Sequence, residues 1–307
     1  MIKTHRQRQR KGLKIDGWLF IDKPYNMGST QVVSKCKYLS KAKKVGHAGT
    51  LDPLATGILP IAFGEATKTI PYIMEARKTY QFTVTWGEER STDDFEGDVT
   101  ATSDVKPTKH DILGIIPFFV GVIKQTPPKY SAVKIDGKRA YSLARSGADF
   151  EIKERTVEVY SLTVLNFDEV TTSFEMECSK GTYVRSVGRD LARKLGTVGY
   201  ISKLRRTKLG PFGLEDTISL EMLEELVHSV PLEGRILNVL TVLDDILALA
   251  VTQEQADFLL HGRQLPRNDF PPSSRIGLTY KAMLGDKLIA LCEFDEYQLN
   301  PVRVFNL

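Results

Sequence analysis

"KVGHAGTLDPLATGILP", residues 44–60, decides how the rest of the chain is read. It sets one histidine and one aspartate among small, apolar and turn-forming residues, after six basic side chains with no acid between Asp22 and Asp52. Pro53 biases Asp52 toward an extended backbone, and Gly46, Gly49 and Gly57 permit tight turns, so the stretch reads as a surface loop presenting a carboxylate. Nearby cations favour the ionised form. An ionised, oriented carboxylate can act as nucleophile or electrostatic stabiliser toward an electron-poor carbon, as in glycosyl chemistry. The same residue types also suit a plain Asx turn ahead of a proline, and residue type alone does not separate the two.

On either side the chain has mixed α/β character. "GWLFIDKP" predicts a short buried strand. "STQVVSKCKYLSK" predicts a helix capped by Ser29, with Val32, Cys36 and Leu39 on one face and lysines on the other. In "KTYQFTVTW", Tyr80, Phe82, Val84 and Trp86 alternate with Thr79, Gln81, Thr83 and Thr85, the period of a strand with one apolar face. "EERSTDDFEGD" is polar and acidic enough to read as a loop outside the core. "QTPPKYSAVKIDGKRAYSLARSG" implies a turn at "DG" and a short helix around Tyr141 to Arg145, and strands follow at "TVEVYSLTV" and "TSFEMEC". "TYVRSVGRDLARKLG" reads as an amphipathic helix ended by Gly196, with Val184, Val187, Leu191 and Leu195 inward and Arg185, Arg189, Arg193 and Lys194 elsewhere. Beyond residue 240, a capping box from Thr252 to Gln255 and strand-like runs at "RIGLTY", "KLIALCEF" and "PVRVF" describe a small, mostly β module.

The 307 residues carry a net charge of +4, but the sign is divided: residues 211–307 are net −8 and residues 1–210 net +12. The first two thirds therefore read as the part that meets a polyanion. The expected organisation is a basic arm at 1–14, a large domain at 15–240 and the β module at 241–307. No apolar block follows the basic residues Lys3 to Lys14, so no signal peptide is expected, and no run is long enough to span a membrane. Cys36, Cys178 and Cys292 are an odd, scattered set that fits a reducing cytoplasm. No glycine-rich phosphate loop, HExxH, paired-cysteine site or GxSxG elbow occurs, so neither cofactor nor metal is expected.

"GHAGTLDPLATGILP" resembles the signature loop of the TruB family of tRNA pseudouridine synthases. "KIDGWLFIDKP", "KTYQFTVTWGEERSTDDFEGD", "QTPPKYSAVKIDGKRAYSLARSG", "KGTYVRSVGRDLARKLG" and "ISKLRRTKLGPF" resemble its further blocks in the same order across residues 11–213. The β module is similar to the RNA-binding PUA-type domain that closes many members. The resemblance implies a pseudouridine synthase fold with a central, largely antiparallel sheet. The implied activity is cofactor-independent isomerisation of uridine to pseudouridine at position 55 in the T-loop of tRNA, with the tRNA T-arm as partner; a monomer is the default expectation.

The resemblance also implies roles, residue by residue. Asp52 matches the catalytic aspartate, Tyr80 the tyrosine set against the target base, and Arg185 the arginine that pairs with the aspartate. His47 matches a residue that stabilises the opened T-loop, and Leu204 one that lines the uracil pocket. Lys23 and Asp94 complete the expected substrate contacts. Lys43, Lys44, Arg205 and Arg206, with neighbouring lysines and the arginines from 185 onward, are expected to grip phosphates. The second block departs from the family's Thr-Asp-Thr run, having Arg90, Ser91 and Thr92 instead. Two other readings compete with the isomerase: a noncatalytic tRNA-binding or folding factor, and a uridine hydrolase that would release free uracil.

Overall fold

The computed structural model describes residues 12–229 and 232–307. The basic arm expected at residues 1–14 therefore lies almost wholly outside the described residues. A nine-stranded sheet forms the frame. Its path runs Gly17–Lys23, Thr56–Phe63, Gly199–Leu209, Lys78–Trp86, Thr171–Cys178, Arg155–Phe167 and Gly121–Gln125, with Val45–His47 and Phe212–Gly213 attached at its side. All neighbours are antiparallel except one: Gly199–Leu209 meets Thr56–Phe63 in parallel, through only Arg205 beside Thr56 and Arg206 beside Gly57. That short joint connects the two halves of the sheet.

The alternation in Lys78–Trp86 is realised as expected. Phe82, Val84 and Trp86 are buried, Phe82 stacks on Phe174 at 5.3 Å, and the Trp86 indole donates to Thr172. The helix Val184–Lys194 packs across this face so closely that a Cβ on Gly188 would lie 2.6 Å from Ile201. Gly196, at φ +70°, follows its end. Gly17–Lys23 reads as an unbroken apolar run because both of its faces are covered. Leu19 and Ile21 enter the main core, while Trp18 and Phe20 meet Leu243, Leu288, Leu291 and Phe305 of the C-terminal part.

That part is a five-stranded sheet, Leu247–Ala250, Thr279–Leu284, Lys287–Phe294, Gln298–Val304 and Leu265–Pro266, with the helix Gln253–Leu260 packed on it. Thr252 and Gln255 form its capping box. The strand expected at "RIGLTY" begins only at Thr279.

Three local expectations are corrected. The helix Ser29–Ser40 is capped by Gly28, whose N–H is accepted by Gln31, and Ser29 is turned to another task. Thr56–Phe63 is a buried strand the sequence reading passed over. The segment after Trp86 is partly core: Asp93 and Asp94 are 8% and 1% exposed.

Candidate active site

The loop between Val45–His47 and Thr56–Phe63 is fastened on both sides of Asp52. Ala48 donates its N–H to Pro60, while the Ser29 hydroxyl donates to Leu51 O at 2.9 Å and accepts Leu51 N–H at 2.8 Å. Pro53 O receives Asn26 N–H and the Lys23 ammonium. Leu51 and Leu54 are buried, which fixes the loop as apolar anchors on either side of a carboxylate. The Asp52 side chain is left 37% exposed, and its Oδ2 lies 2.9 Å from Nη2 of Arg185.

Arg185 itself is buried. It stands in the first turn of Val184–Lys194 and makes four contacts: Asp52, Asp94 at 3.3 Å, and the carbonyls of Thr92 and Tyr130, each at 2.9 Å. One turn further on, Arg189 binds Asp93 and Asp190, both at 2.9 Å, and Thr126 O. The acidic pair 93–94 thus meets two arginines four residues apart. The Arg185–Asp52 pair was expected, but the pairing of Asp93 and Asp94 with this helix was not, because the acidic segment read as a loop outside the core.

Tyr80 stands directly opposite Arg206 in the antiparallel ladder, within the field of that guanidinium and of Asp52. Burial pushes its phenol above the ordinary tyrosine value, against the opposing pull of Arg206. His47 is half-buried, its Nδ1 has no hydrogen-bond partner among the described residues, and burial and then Arg206 hold its imidazole below its usual pKa. Burial raises the carboxyls of Asp94 and Glu96. Leu204, 8% exposed, lines a cavity of about 480 Å³ with Tyr25, Leu54, Phe82 and Arg205. Asp52, Tyr80 and Arg185 do not line that cavity, so it is not the space above the carboxylate.

Three of the residues expected to contact RNA are engaged within the protein. The Lys23 ammonium, in a residue 0% exposed, is consumed by the carbonyls of Pro24, Met27 and Pro53, and burial pulls its pKa down to about 8. Asp94 is held by Arg185, Thr92 and the N–H of Glu96, and so supports the arginine instead of facing a substrate. Arg206 is 1% exposed and cannot reach a phosphate on the surface; its Nε donates to Ile58 O at 2.8 Å and its Nη2 to Gly49 O at 3.0 Å. Arg205 is half-exposed but grips Asp22 with both terminal nitrogens. Lys43 and Lys44 are exposed. Among the described residues no group of three or more His, Cys, Asp or Glu side chains is placed to hold a metal ion, and no helix is long and apolar enough to cross a membrane.

A half-exposed carboxylate aimed by a buried guanidinium can attack or stabilise a sugar or base carbon. Comparison with known proteins agrees with this chemistry. The family model for the TruB family pseudouridylate synthase N-terminal domain matches residues 37–184, and that for the tRNA pseudouridylate synthase B C-terminal domain matches residues 185–248. The tRNA pseudouridine synthase B of Caulobacter vibrioides is 51% identical over 98% of this chain and 99% of its own. That of Agrobacterium fabrum is 47% identical over 99% and 100%. Among solved structures, an archaeal box H/ACA sRNP Nop10-Cbf5 complex shares the fold at a TM-score of 0.72 and 20% identity, covering 99% of this chain and 94% of that one.

Proposed function

Because the chain belongs to the TruB family of pseudouridine synthases, a tRNA-modifying isomerase family, we propose that it converts uridine to pseudouridine at position 55 of the tRNA T-loop with Asp52 as the reacting group. The reaction breaks the N1–C1′ bond, turns the uracil, forms C5–C1′, loses a proton from C5 and returns one to N1. The sum is an isomerisation that consumes no reagent. The observation that carries the assignment is the Asp52–Arg185 pair, in which a half-exposed carboxylate is aimed by a guanidinium that is itself pinned by Asp94 and two carbonyls.

Each side chain then has a task. Arg185 pairs with Asp52 and orients it. Tyr80, with a phenol kept protonated by burial, stacks on the extruded base and serves proton transfer. His47, kept neutral, fills or stacks in the gap the base leaves. Extrusion of a stacked base costs a few kcal/mol, which such contacts must offset. Leu204 supplies apolar contact to the uracil, while exposed Lys43 and Lys44 meet the phosphates of the T-arm. Residues 15–240 carry the chemistry and 241–307 act as a PUA-like RNA-binding module. A cytoplasmic location fits three buried, unpaired thiols, and the enzyme works as a monomer, which sedimentation with and without tRNA tests.

The site of modification is tested by incubating the protein with unmodified tRNA transcripts and mapping pseudouridine. Product at uridine 55, lost when that uridine is replaced by cytidine, is the expected result. Product elsewhere in the tRNA with none at 55 would overturn the positional assignment.

A further inference from the structure

The strand beneath the Asp52 loop carries a charge that the mechanism above leaves unused. The buried arginines among the described residues are Arg185, Arg189 and Arg206. The first two pair with carboxylates; Arg206 has none within ion-pair distance among the described residues. A buried, unpaired cation is costly to keep. Lys23 and Lys78, also buried, relieve that cost through pKa values pulled down to about 8, so they can shed their protons. A guanidinium has no such exit and stays charged.

What that fixed charge holds is the loop and the tyrosine. Arg206 sits at the parallel joint of the sheet, beside Gly57 on one flank and Tyr80 on the other. Gly57, at φ +96°, lies so close that a Cβ there would stand 2.1 Å from Arg206 O, and one on Gly49 would stand 3.1 Å from Nη1. With Nε on Ile58 O and Nη2 on Gly49 O, the guanidinium grips the loop at both ends, and Asp52 lies between the grips.

We propose that Arg206 is a positioning residue for the isomerisation, clamping both ends of the Asp52 loop against the strand position that carries Tyr80. The inference rests on Asp52 and Tyr80 meeting the target nucleoside. Arg206 touches no substrate. Its charge also acts on its neighbours: it opposes the burial that raises the Tyr80 phenol, where Cys178 and Asp52 push the other way, and it adds to the burial that lowers His47.

The test compares Arg206→Lys, Arg206→Met, Tyr80→Phe and the Arg206→Lys/Tyr80→Phe double variant, with Asp52→Asn alongside, on unmodified tRNA. Lysine retains the reach and loses the two-pronged grip. Arg206→Lys is expected to lower kcat by roughly 10- to 100-fold while KM for tRNA and its salt dependence stay within about 2-fold. Tyr80→Phe should cost clearly less in the Arg206→Lys background than alone, because the two act as a unit. In Arg206→Met the His47 imidazole, followed by NMR, should titrate at higher pH, which checks that the buried charge is present beside it. A kcat within about 2-fold of wild type, additive effects in the double variant, or a raised KM with a shallower salt slope would each overturn the proposal. Product from Asp52→Asn would indict the reading of the site itself; an inactive Asp52→Asn beside an unaffected Arg206→Lys removes only the role of Arg206.

Discussion

Replacing Arg185 with methionine removes four contacts at once, and the structure fixes what each loss leaves behind. Two carbonyls, of Thr92 and Tyr130, lose charge-assisted donors worth about 1.5–3 kcal/mol each before relaxation. Asp94, 1% exposed, is left with only Thr92 and the Glu96 N–H; breaking one side of a buried ion pair costs about 3–5 kcal/mol. Asp52 adds little to this total, because it is more than a third exposed and solvent screens it. These terms overlap, so the expected loss of folding stability is about 3–5 kcal/mol, read as a drop in denaturant midpoint at unchanged slope. The sign of its pH dependence follows from Asp94. Burial raises its folded pKa, so the protonated form is favoured in the fold, and the stability it contributes is present at low pH and lost as pH rises through that value. The Arg185→Met penalty should therefore shrink as the pH is lowered from neutrality. Arg185→Met/Asp94→Asn leaves no bare charge and should recover about 1–3 kcal/mol relative to additivity. A loss below about 1 kcal/mol at pH 7, or additivity within about 0.5 kcal/mol, would refute the reasoning.

Three further outcomes are expected. Lys23→Met frees Pro53 and should cut kcat while leaving the salt dependence of tRNA binding unchanged, whereas a substrate-contacting lysine would change the slope. Gly57→Ala drives a methyl into Arg206 O at a positive φ and should cost about 3 kcal/mol or more in thermal or denaturant unfolding. Lys43→Ala and Lys44→Ala should each reduce the slope of log affinity against log salt by about 1, and Arg189→Ala, buried against Asp93, should leave that slope alone while lowering the melting temperature.

Legibility in the sequence followed exposure. Lys78–Trp86 was readable because its alternation of Thr and Gln with Phe, Val and Trp maps directly onto a sheet with one covered face. Thr56–Phe63 was not: it is buried on both faces, so its pattern does not alternate, and Pro60 reads as a strand breaker although it pairs with Phe20. The carboxylate loop announced itself through glycine and proline spacing. Its fastening did not, because Ser29, Lys23 and Arg206 arrive from remote elements and each looks locally like a helix cap or a solvated cation. The same limit hid the 93–94 and 185–189 ion pairs. Charges alternating with apolar residues signal an exposed face unless complementary charges elsewhere in the chain are placed to meet them.

The central claim is that one carboxylate, aimed by a buried arginine, remakes a nucleoside bond. Single-turnover pseudouridine formation by Asp52→Asn on unmodified tRNA, measured beside its tRNA affinity, tests it most directly. Affinity within about 3-fold of wild type with the rate reduced by roughly 1,000-fold or more is the predicted result. Product formed by the variant at the wild-type rate would contradict it.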